Sequence, residues 1–264
     1  MSDNHSRNAA ADAAAEGRAD DLARLLKHRP PSQKELKGLA FAASESKSLP
    51  TLQVLLDNGW DINTPESYSD PPSLGRAIQA GADEDVVRWF LAHGANPNAY
   101  ATKYKTTPLS RAVQFAPPKI VQLLLDCGGS ATTGELIWFA CQRTAGDPDA
   151  LKILELLYDR GALIDNVLFA DFNELQDVSM FCGTPLWESI GKGDVARVQF
   201  LLNRGASLHA KKPGLDISPL EKARKCGNPE LAKIVSQVPA KVIQNRVLEH
   251  DRIPTMIGYP GNRA

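Results

Sequence analysis

Aromatic residues are scarce in this chain, since Phe, Trp and Tyr make up only 6% of its 264 residues. Large aromatic side chains usually dominate a single globular core, whereas helix pairs built on Leu and Ala need few of them.

Cysteines are also few. The four of them lack CxxC spacing and a neighbouring histidine at ligand distance, so we expect buried thiols in a reducing compartment rather than a metal site. They are Cys127, Cys141, Cys182 and Cys226.

An excess of either charge is also missing, because 30 basic residues face 31 acidic ones and the formal net charge is -1. A long nucleic-acid surface would usually need a basic excess, so direct nucleic-acid binding is not expected. No apolar stretch approaches the roughly 20 residues that cross a bilayer. The polar segment Met1–Arg7 lacks the apolar core of a secretory signal. We therefore expect a soluble intracellular protein, cytoplasmic or nuclear, without membrane contact.

What the chain does contain is a repeat. Short Ala-centred helical runs are followed by helices with paired apolar residues, and five of these second helices end at a glycine. The glycines are Gly59, Gly94, Gly128, Gly161 and Gly205, at intervals of 35, 34, 33 and 44 residues. A period near 33 indicates one supersecondary unit stacked on itself rather than one globular core.

The clearest unit begins at Thr107 and ends at Gly128. Thr107 is predicted to cap the first helix, and Pro108 suits the first helical position, where its missing N–H is no loss. Leu109 and Ala112 fall on one helix face. Gly128 is predicted to supply the left-handed residue that ends the second helix.

These residues resemble the ankyrin repeat, whose signature opens with Thr-Pro-Leu-His-x-Ala and ends with Gly-Ala-(Asp/Asn). Thr107-Pro108-Leu109 and Gly94-Ala95-Asn96-Pro97-Asn98 match it in the right order. The resemblance implies an all-α solenoid of stacked helix–turn–helix units with short β-hairpin turns. We expect a disordered N-terminus at 1–8 and an ankyrin repeat domain at 9–238, with a degenerate first unit, about six repeats and an insert near 163–183. Residues 239–264 would form a capping segment and a flexible tail.

One departure from the family pattern is the signature histidine, which is absent from every unit. In the family this residue helps to tie neighbouring repeats by hydrogen bonds, so the coupling here is expected to depend more on packing. Two of its places hold Trp138 and Trp187, which are predicted to pack between repeats. The other places hold Gly75, Ser110 and Glu221.

Motifs for catalysis are not visible. The chain has no GxGxxG or GxxxxGK[ST] phosphate loop, and its five histidines have no HExxH motif or nucleophile elbow nearby. His28 and His93 fall in the last turn of a helix, where a cation complements the helix dipole. We therefore expect no enzyme activity, no cofactor and no metal.

The resemblance implies instead a binding surface along the concave side of the stack. In the family this side is lined by the hairpin tips and by the two residues before the turn between the helices. Gln79, Gln114 and Gln142 occupy the first of these positions in three consecutive repeats. A ladder of glutamines can bind an extended peptide backbone, although glutamine is also a good solvated helix residue. Other positions are Ser44, Glu45, Ala80, Phe115, Arg143, Gly191, Lys192, Lys225 and Cys226.

Three further features single out residues. The hairpin after Asn98 carries Tyr100, Lys103, Tyr104 and Lys105, and tyrosines at a tip are good contact residues unless they lie back on a neighbour. The insert carries apolar residues, with Phe172 the contact candidate; they either fold back on the stack or form a contact patch. Finally, Arg143, Lys192 and Lys225 make the C-terminal end basic, whereas Glu45, Glu66 and Asp70 make the other end acidic.

The sequence therefore predicts a non-catalytic protein–protein interaction module, a monomeric scaffold or adaptor that binds an unidentified protein partner on its concave face. The alternative is a regulator or inhibitor of a transcription factor or enzyme, docking through the basic C-terminal repeats. A charge gradient of this kind can orient a partner and speed its encounter.

Overall fold

The computed structural model describes residues 2–101, 106–165, 183–211 and 217–238, and within them the chain forms fourteen helices arranged as seven pairs. The first helix of each pair belongs to an inner layer: α1 (Ser2–Ala15), α3 (Gln33–Ser46), α5 (Ser73–Gln79), α7 (Pro108–Phe115), α9 (Leu136–Gln142), α11 (Pro185–Gly191) and α13 (Pro219–Lys225). The second helix belongs to an outer layer: α2 (Ala19–His28), α4 (Leu49–Asp57), α6 (Glu84–Ala92), α8 (Pro118–Asp126), α10 (Ala150–Asp159), α12 (Val195–Asn203) and α14 (Pro229–Ser236).

The solenoid prediction is confirmed, because each inner helix contacts the inner helices before and after it in the chain. The core between the layers is made of small and aliphatic side chains. Leu74 and Ala77 of α5 are fully buried, as are Leu109 and Ala112 of α7 and Leu124 of α8. The small alanines let neighbouring helices approach closely. This explains how the fold manages with few aromatic residues.

The predicted glycine stops are confirmed in the backbone. Gly94 has φ 87°, a left-handed conformation that favours glycine. The N–H of Ala95 donates to Phe90 O at 2.9 Å and that of Gly94 to Leu91 O at 3.1 Å, which closes α6 with a Schellman motif. The other four glycines of the series also have φ between 83° and 93°.

Helix starts follow the predicted chemistry as well. Thr107 Oγ1 accepts from Ser110 N at 3.0 Å, and Pro108 is the first residue of α7. Thr184 caps α11 in the same way. Because these caps and the glycine stops recur in register, every pair enters the stack at a similar position.

The N-terminal units depart from the expectation. The backbone of residues 2–8, predicted to be disordered, belongs to α1. Helices α1 and α3 each contain 14 residues, whereas the later inner helices contain 7 or 8. A loop of four residues (29–32) joins α2 to α3, where later pairs have longer hairpin segments. In the described ranges the hairpins are reduced to one isolated β-bridge, between Pro65 and Pro72.

Neighbouring repeats are joined by hydrogen bonds as well as by packing. Asn98 donates to Gly128 O at 2.8 Å and accepts from Ser130 N at 2.7 Å, and Asn63 makes the same two bonds to Gly94 O and Asn96 N one repeat earlier. Ser110, in a signature-histidine place, donates to Gly134 O at 3.0 Å. We expected coupling to depend more on packing where the signature histidine is absent, and these bonds show that asparagine and serine side chains also contribute to it.

The two tryptophans at the histidine places pack as predicted, since Trp138 is 9% and Trp187 is 8% exposed. The expectation of buried thiols holds for Cys141 alone among the described cysteines, because Cys127 and Cys226 are exposed. Cys182, most of the insert (166–182) and the tail (239–264) lie outside the described residues. None of the described helices is long and apolar enough to span a membrane.

Candidate interaction surface

The three glutamines predicted to form a ladder lie at the C-terminal ends of consecutive inner helices. Gln79 is exposed, whereas Gln114 and Gln142 are half-buried. Gln114 Oε1 is buried and has no hydrogen-bond partner among the described residues. The side chains therefore differ in access, and a partner would meet Gln79 first.

Arg143 is buried rather than facing a groove. It is 8% exposed, it donates from Nη1 to Val113 O and Ala116 O at 3.1 and 2.9 Å, and it pairs with Asp147 at 2.8 Å. These bonds hold the last carbonyl groups of α7, which an isolated helix would leave without donors. Because Arg143 is buried, its side chain is not accessible to a partner, and it is not part of the candidate interaction surface.

Ser44 is likewise fully buried and donates to Ala40 O at 2.7 Å. The register predicted for α3 is thus one residue out, and Glu45 is the exposed residue there. Helix α3 is longer than the later inner helices and starts without the Thr-Pro pair that opens α7 and α11.

Arg197 of α12, which the sequence did not single out, has a structural role similar to that of Arg143. It is 1% exposed, donates to Cys141 O at 3.0 Å, to Arg143 O at 2.8 Å and to Thr144 O, and pairs with Asp194 at 3.1 Å. Its guanidinium closes the C-terminal end of α9.

The basic C-terminal end lies beside a cleft between α11 and α13. The cleft has a volume of about 560 Å³, and its described lining includes Lys192, Lys222 and Lys225 but no carboxylate. Lys192 Nζ donates to Gln142 O at 2.9 Å. Lys222 Nζ lies 4.2 Å from the centre of the Trp187 ring. Backbone and aromatic contacts therefore hold two of the three ammonium groups in place.

Among the predicted aromatic contacts, Tyr100 is 55% exposed and Phe115 is 45% exposed. These fractions are high for such large side chains, and they leave about half of each side chain exposed to solvent. Lys103, Tyr104 and Phe172 lie outside the described residues.

A strip of alternating charges crosses three inner helices at the N-terminal end. Arg76 of α5 pairs with Glu45 of α3, and its guanidinium lies 4.3 Å from the centre of the Phe41 ring. Arg111 of α7 pairs with Asp70 at 3.3 Å. We call these residues, together with Glu66 in the same loop as Asp70, the charged strip.

Glu66 is the unusual member of the charged strip. Burial raises its pKa to about 7, although a hydrogen bond with Ser73 and the charge of Arg76 oppose the shift. Its Oε1 atom is buried without a hydrogen-bond partner among the described residues. Two carboxylates (Glu45, Asp70) and two guanidiniums balance each other, so the proton on Glu66 sets the net charge of the strip near neutral pH.

Several exposed or charged residues of this surface were missed by the sequence analysis. Phe41 and Tyr68 are 37% and 62% exposed, and Arg76 and Arg111 are the ordered arginines of the strip. A signal existed, because Arg76 and Arg111 both stand two residues after the inner-helix leucine, 35 residues apart. The groove positions predicted on the inner helices lie just before the turn between the two helices of a pair, whereas Arg76 and Arg111 lie earlier in α5 and α7.

A metal site or a nucleophilic thiol would draw on histidine, cysteine and carboxylate side chains among the described residues. No group of three His, Cys, Asp or Glu side chains there is placed to hold a metal ion. Burial raises the pKa of the Cys141 thiol to about 12, which disfavours the nucleophilic thiolate. The arrangement is suited to contact and charge complementarity.

Comparison with known proteins agrees with the repeat pattern. Residues 39–133 match the family model described as ankyrin repeats, in three copies. From mouse (Mus musculus), the ankyrin repeat, SAM and basic leucine zipper domain-containing protein 1 is 28% identical over 142 residues, which cover 48% of this chain and 28% of that protein.

A second mouse protein, cytochrome b-c1 complex subunit 1, mitochondrial, is 25% identical over 182 residues, covering 59% of this chain and 35% of that protein. The chain thus spans about a third of the length of the curated relatives it matches.

Among solved structures, the human ASB11 ankyrin repeat domain has a TM-score of 0.61 at 18% identity, covering 86% of this chain and 96% of that one. A chain from the Bd0816 predatory endopeptidase of Bdellovibrio bacteriovorus in complex with immunity protein Bd3460 has a TM-score of 0.55 at 19% identity, covering 76% and 97%. At these identities the likeness shows the fold alone. The family match over residues 39–133, the shared fold and the glycine register together show ankyrin repeats within this chain and the solenoid fold that such repeats form.

Proposed function

We propose that the chain is a non-catalytic scaffold or adaptor that binds a protein partner on the inner-helix face of its second to fourth helix pairs. Ankyrin repeats are general protein–protein interaction modules. The observation that carries the proposal is the charged strip with exposed aromatic side chains around it. Aromatic residues and arginine are enriched among the residues that dominate binding energy. The aromatic side chains are those of Phe41, Tyr68, Tyr100 and Phe115.

The predicted contact residues that remain in this surface are Gln79, Gln114, Tyr100 and Phe115. Gln142, beside the basic cleft, continues their row. Contacts by Lys103, Tyr104 and Phe172 stay predictions. Arg76 and Arg111 join the proposed surface because their partners hold them in fixed positions across α5 and α7, and ordered side chains lose less entropy on binding.

The test is partner capture by the full chain carrying Tyr100→Ala or Phe115→Ala, measured by affinity purification with quantitative mass spectrometry. Tyr158→Ala is the matched control, because Tyr158 is 40% exposed but lies on the outer helix α10. We expect a partner recovered by the wild type and the control to fall about tenfold or more with the surface variants. Equal recovery by all four proteins would rule out the surface.

A second candidate is a regulator or inhibitor that docks an acidic partner at the basic cleft. The lining of three lysines without a carboxylate favours it. The neighbour from an endopeptidase–immunity protein complex is consistent with an enzyme as partner. Lys192→Glu with Lys225→Glu should abolish such binding, whereas Lys233→Glu on the outer helix α14 should not. If the Lys192→Glu, Lys225→Glu variant still binds a partner that Tyr100→Ala no longer binds, the result supports the scaffold or adaptor and contradicts docking at the basic cleft.

We further propose that the chain is a monomer without enzyme activity or cofactor. It would reside in an intracellular compartment and would not bind nucleic acid directly. Three described cysteines are unpaired and two of them are exposed. Exposed free thiols persist where the surroundings are reducing, which supports the location.

A further inference from the structure

A pocket lies at the N-terminal end of the stack, between α1, α3 and the end of α2, with a cavity volume of about 260 Å³. Its walls are apolar and come from Ala10, Ala11, Leu25, Leu26, Pro31 and Leu39. The pocket exists because α1 and α3 are about two turns longer than the other inner helices. The short loop 29–32 between α2 and α3 leaves the space between the extra turns open.

Three charged side chains stand at the pocket and form an ion cluster. Glu35 Oε1 accepts from Arg29 Nη2 at 2.7 Å and from Arg7 Nε at 3.0 Å, while its Oε2 accepts from Ser32 N at 2.9 Å and Ser32 Oγ at 3.0 Å. A carboxylate has about four acceptor sites, so these bonds fill Glu35. The hydrogen bond from Ser32 N, then that from Arg29, lowers the pKa of Glu35 to about 2. Glu35 thus positions two guanidiniums at the pocket, each with five N–H donors.

Gly38 supplies an independent observation. It lies inside the helix α3 and lines the pocket, and a Cβ at its position would meet no heavy atom within 4 Å. Glycine inside a helix costs about 0.5–1 kcal/mol relative to alanine, and no close approach or left-handed backbone accounts for it here. A longer side chain at this position would extend into the space of the pocket.

We infer that this pocket binds a small carboxylic acid with a linear apolar body, such as a medium-chain fatty acid. The apolar body would lie against the leucine and alanine walls, because ligand pockets bury apolar surface and use few polar groups for orientation. The carboxylate would accept hydrogen bonds from Arg7 and Arg29, since guanidinium pairs with carboxylates in a planar, two-pronged geometry. This site is separate from the proposed partner surface, so either can fail without the other.

The probe is octanoate, titrated into the full-length chain by calorimetry and followed in ¹⁵N-labelled protein by amide chemical shifts. Octanol has the same apolar body without the carboxylate, and acetate has the carboxylate without the body. We expect saturable binding of octanoate with shifts confined to residues 7–39. Octanol should bind at least about tenfold more weakly, because charge-assisted hydrogen bonds are lost. Acetate should not bind.

Two substitutions at one position separate the pocket from the fold. Gly38→Leu should fill the pocket and weaken octanoate binding about tenfold or more, whereas Gly38→Ala should bind it nearly as the wild type does. Both keep α3, since leucine and alanine are better helix formers than glycine. Arg29→Met should reduce octanoate binding to the level of octanol.

Three results would overturn the inference. Equal binding of octanoate and octanol to the wild type would indicate a purely apolar occupant, such as a side chain of a protein partner. Unchanged octanoate binding by Gly38→Leu would place the ligand elsewhere. The absence of saturable octanoate binding to the wild type would remove the site.

Discussion

The carboxyl group of Glu66 lies near two arginines yet retains its proton up to about pH 7, because burial outweighs their attraction. Titratable residues whose pKa is strongly shifted by burial often lie at functional sites. A change of one proton on Glu66 alters the charge that the strip presents to a partner. Recognition on this surface should therefore be sensitive to pH near neutrality.

Glu66→Gln should remove a pH dependence of stability. The pKa in the folded state, about 7, exceeds the ordinary value of 4.5 that applies to the unfolded chain. The folded state therefore binds the proton more tightly. The stabilisation is complete below about pH 4.5 and is lost as the pH rises through about 7. The wild type should lose up to about 2–3 kcal/mol of unfolding free energy between pH 5 and pH 8.

Urea unfolding at several pH values checks this. Glu66→Gln should flatten the profile and be more stable than the wild type at pH 8. Glu16→Gln is the control, because Glu16 has an exposed side chain. A wild-type stability that stays constant from pH 5 to pH 8 would contradict the raised pKa.

Arg197→Met should be strongly destabilising, although methionine preserves much of the apolar stem. The substitution removes the donors to three carbonyl groups at the end of α9 and leaves the Asp194 carboxylate buried without its cation. Breaking a buried pair in this way costs about 3–5 kcal/mol. Chemical denaturation measures the loss. Arg88→Met, which breaks an exposed pair with Glu84, should cost less than about 1 kcal/mol, and similar losses in both variants would refute the assignment.

At the scale of elements, the helix pairs are joined by recurrent side-chain bridges between turns. Asn63 and Asn98 stand 35 residues apart and make equivalent bonds to the following turn. Each amide accepts from one backbone N–H and donates to one carbonyl, so both groups of the turn are satisfied at once. In this protein the two asparagines join neighbouring repeats by hydrogen bonds, which is the role expected of the signature histidine in the family.

Asn98→Ala should therefore weaken the coupling between the turn after α6 and the turn after α8. Two hydrogen bonds are lost, and the carbonyl of Gly128 and the N–H of Ser130 must find water instead. We expect a loss of about 1–3 kcal/mol in urea unfolding. Asn203→Ala removes an exposed bond within one helix and should change stability by less than about 0.5 kcal/mol. Equal effects would show that the bridge contributes nothing.

Much of the element pattern was predictable because it depends on local chemistry. Thr107, Pro108 and Gly94 act within a few residues of their own position, and their roles were confirmed. The start of α3 was missed although a signal was present, because Ser32 and Glu35 have the spacing of a capping box and form one. The burial of Arg143 and the role of Arg197 were not predictable, because their partners belong to other repeats and sequence spacing does not show which carbonyl a long side chain will reach.

At the scale of the whole molecule, the extensive contacts among the described helices join neighbouring pairs, so stability is approximately a sum of pair and interface contributions. The repeat period breaks in the interval before Thr184. Arg197 and Lys192 carry hydrogen bonds across that junction to the end of α9. Among the described contacts, polar bonds thus span the place where the repeat period breaks.

The stack should unfold from its C-terminal end before its middle. Helices α13 and α14 have a described neighbour on one side only, whereas α5 to α8 are packed on both sides. Native-state hydrogen exchange with mass spectrometry should show α13 and α14 exchanging faster than α5 to α8. With Arg197→Met, the difference should extend to α11 and α12. Uniform protection across all pairs would show that the stack unfolds as one unit.

Some of the hydrogen bonds between pairs run from a donor in a later pair back to an earlier pair, and these bonds bear on how the chain is synthesised. Ser46 and Ser48 donate back to Ala14 O and Gly17 O, and Arg143 and Arg197 donate back to the helices before them. A nascent chain emerges with its N-terminus first, so each inner helix leaves the ribosome before the residues that complete it. The most recently synthesised inner helix therefore lacks these hydrogen bonds, and it gains them only when the next repeat has been synthesised. A product released early would end in a helix whose last carbonyl groups are exposed to water.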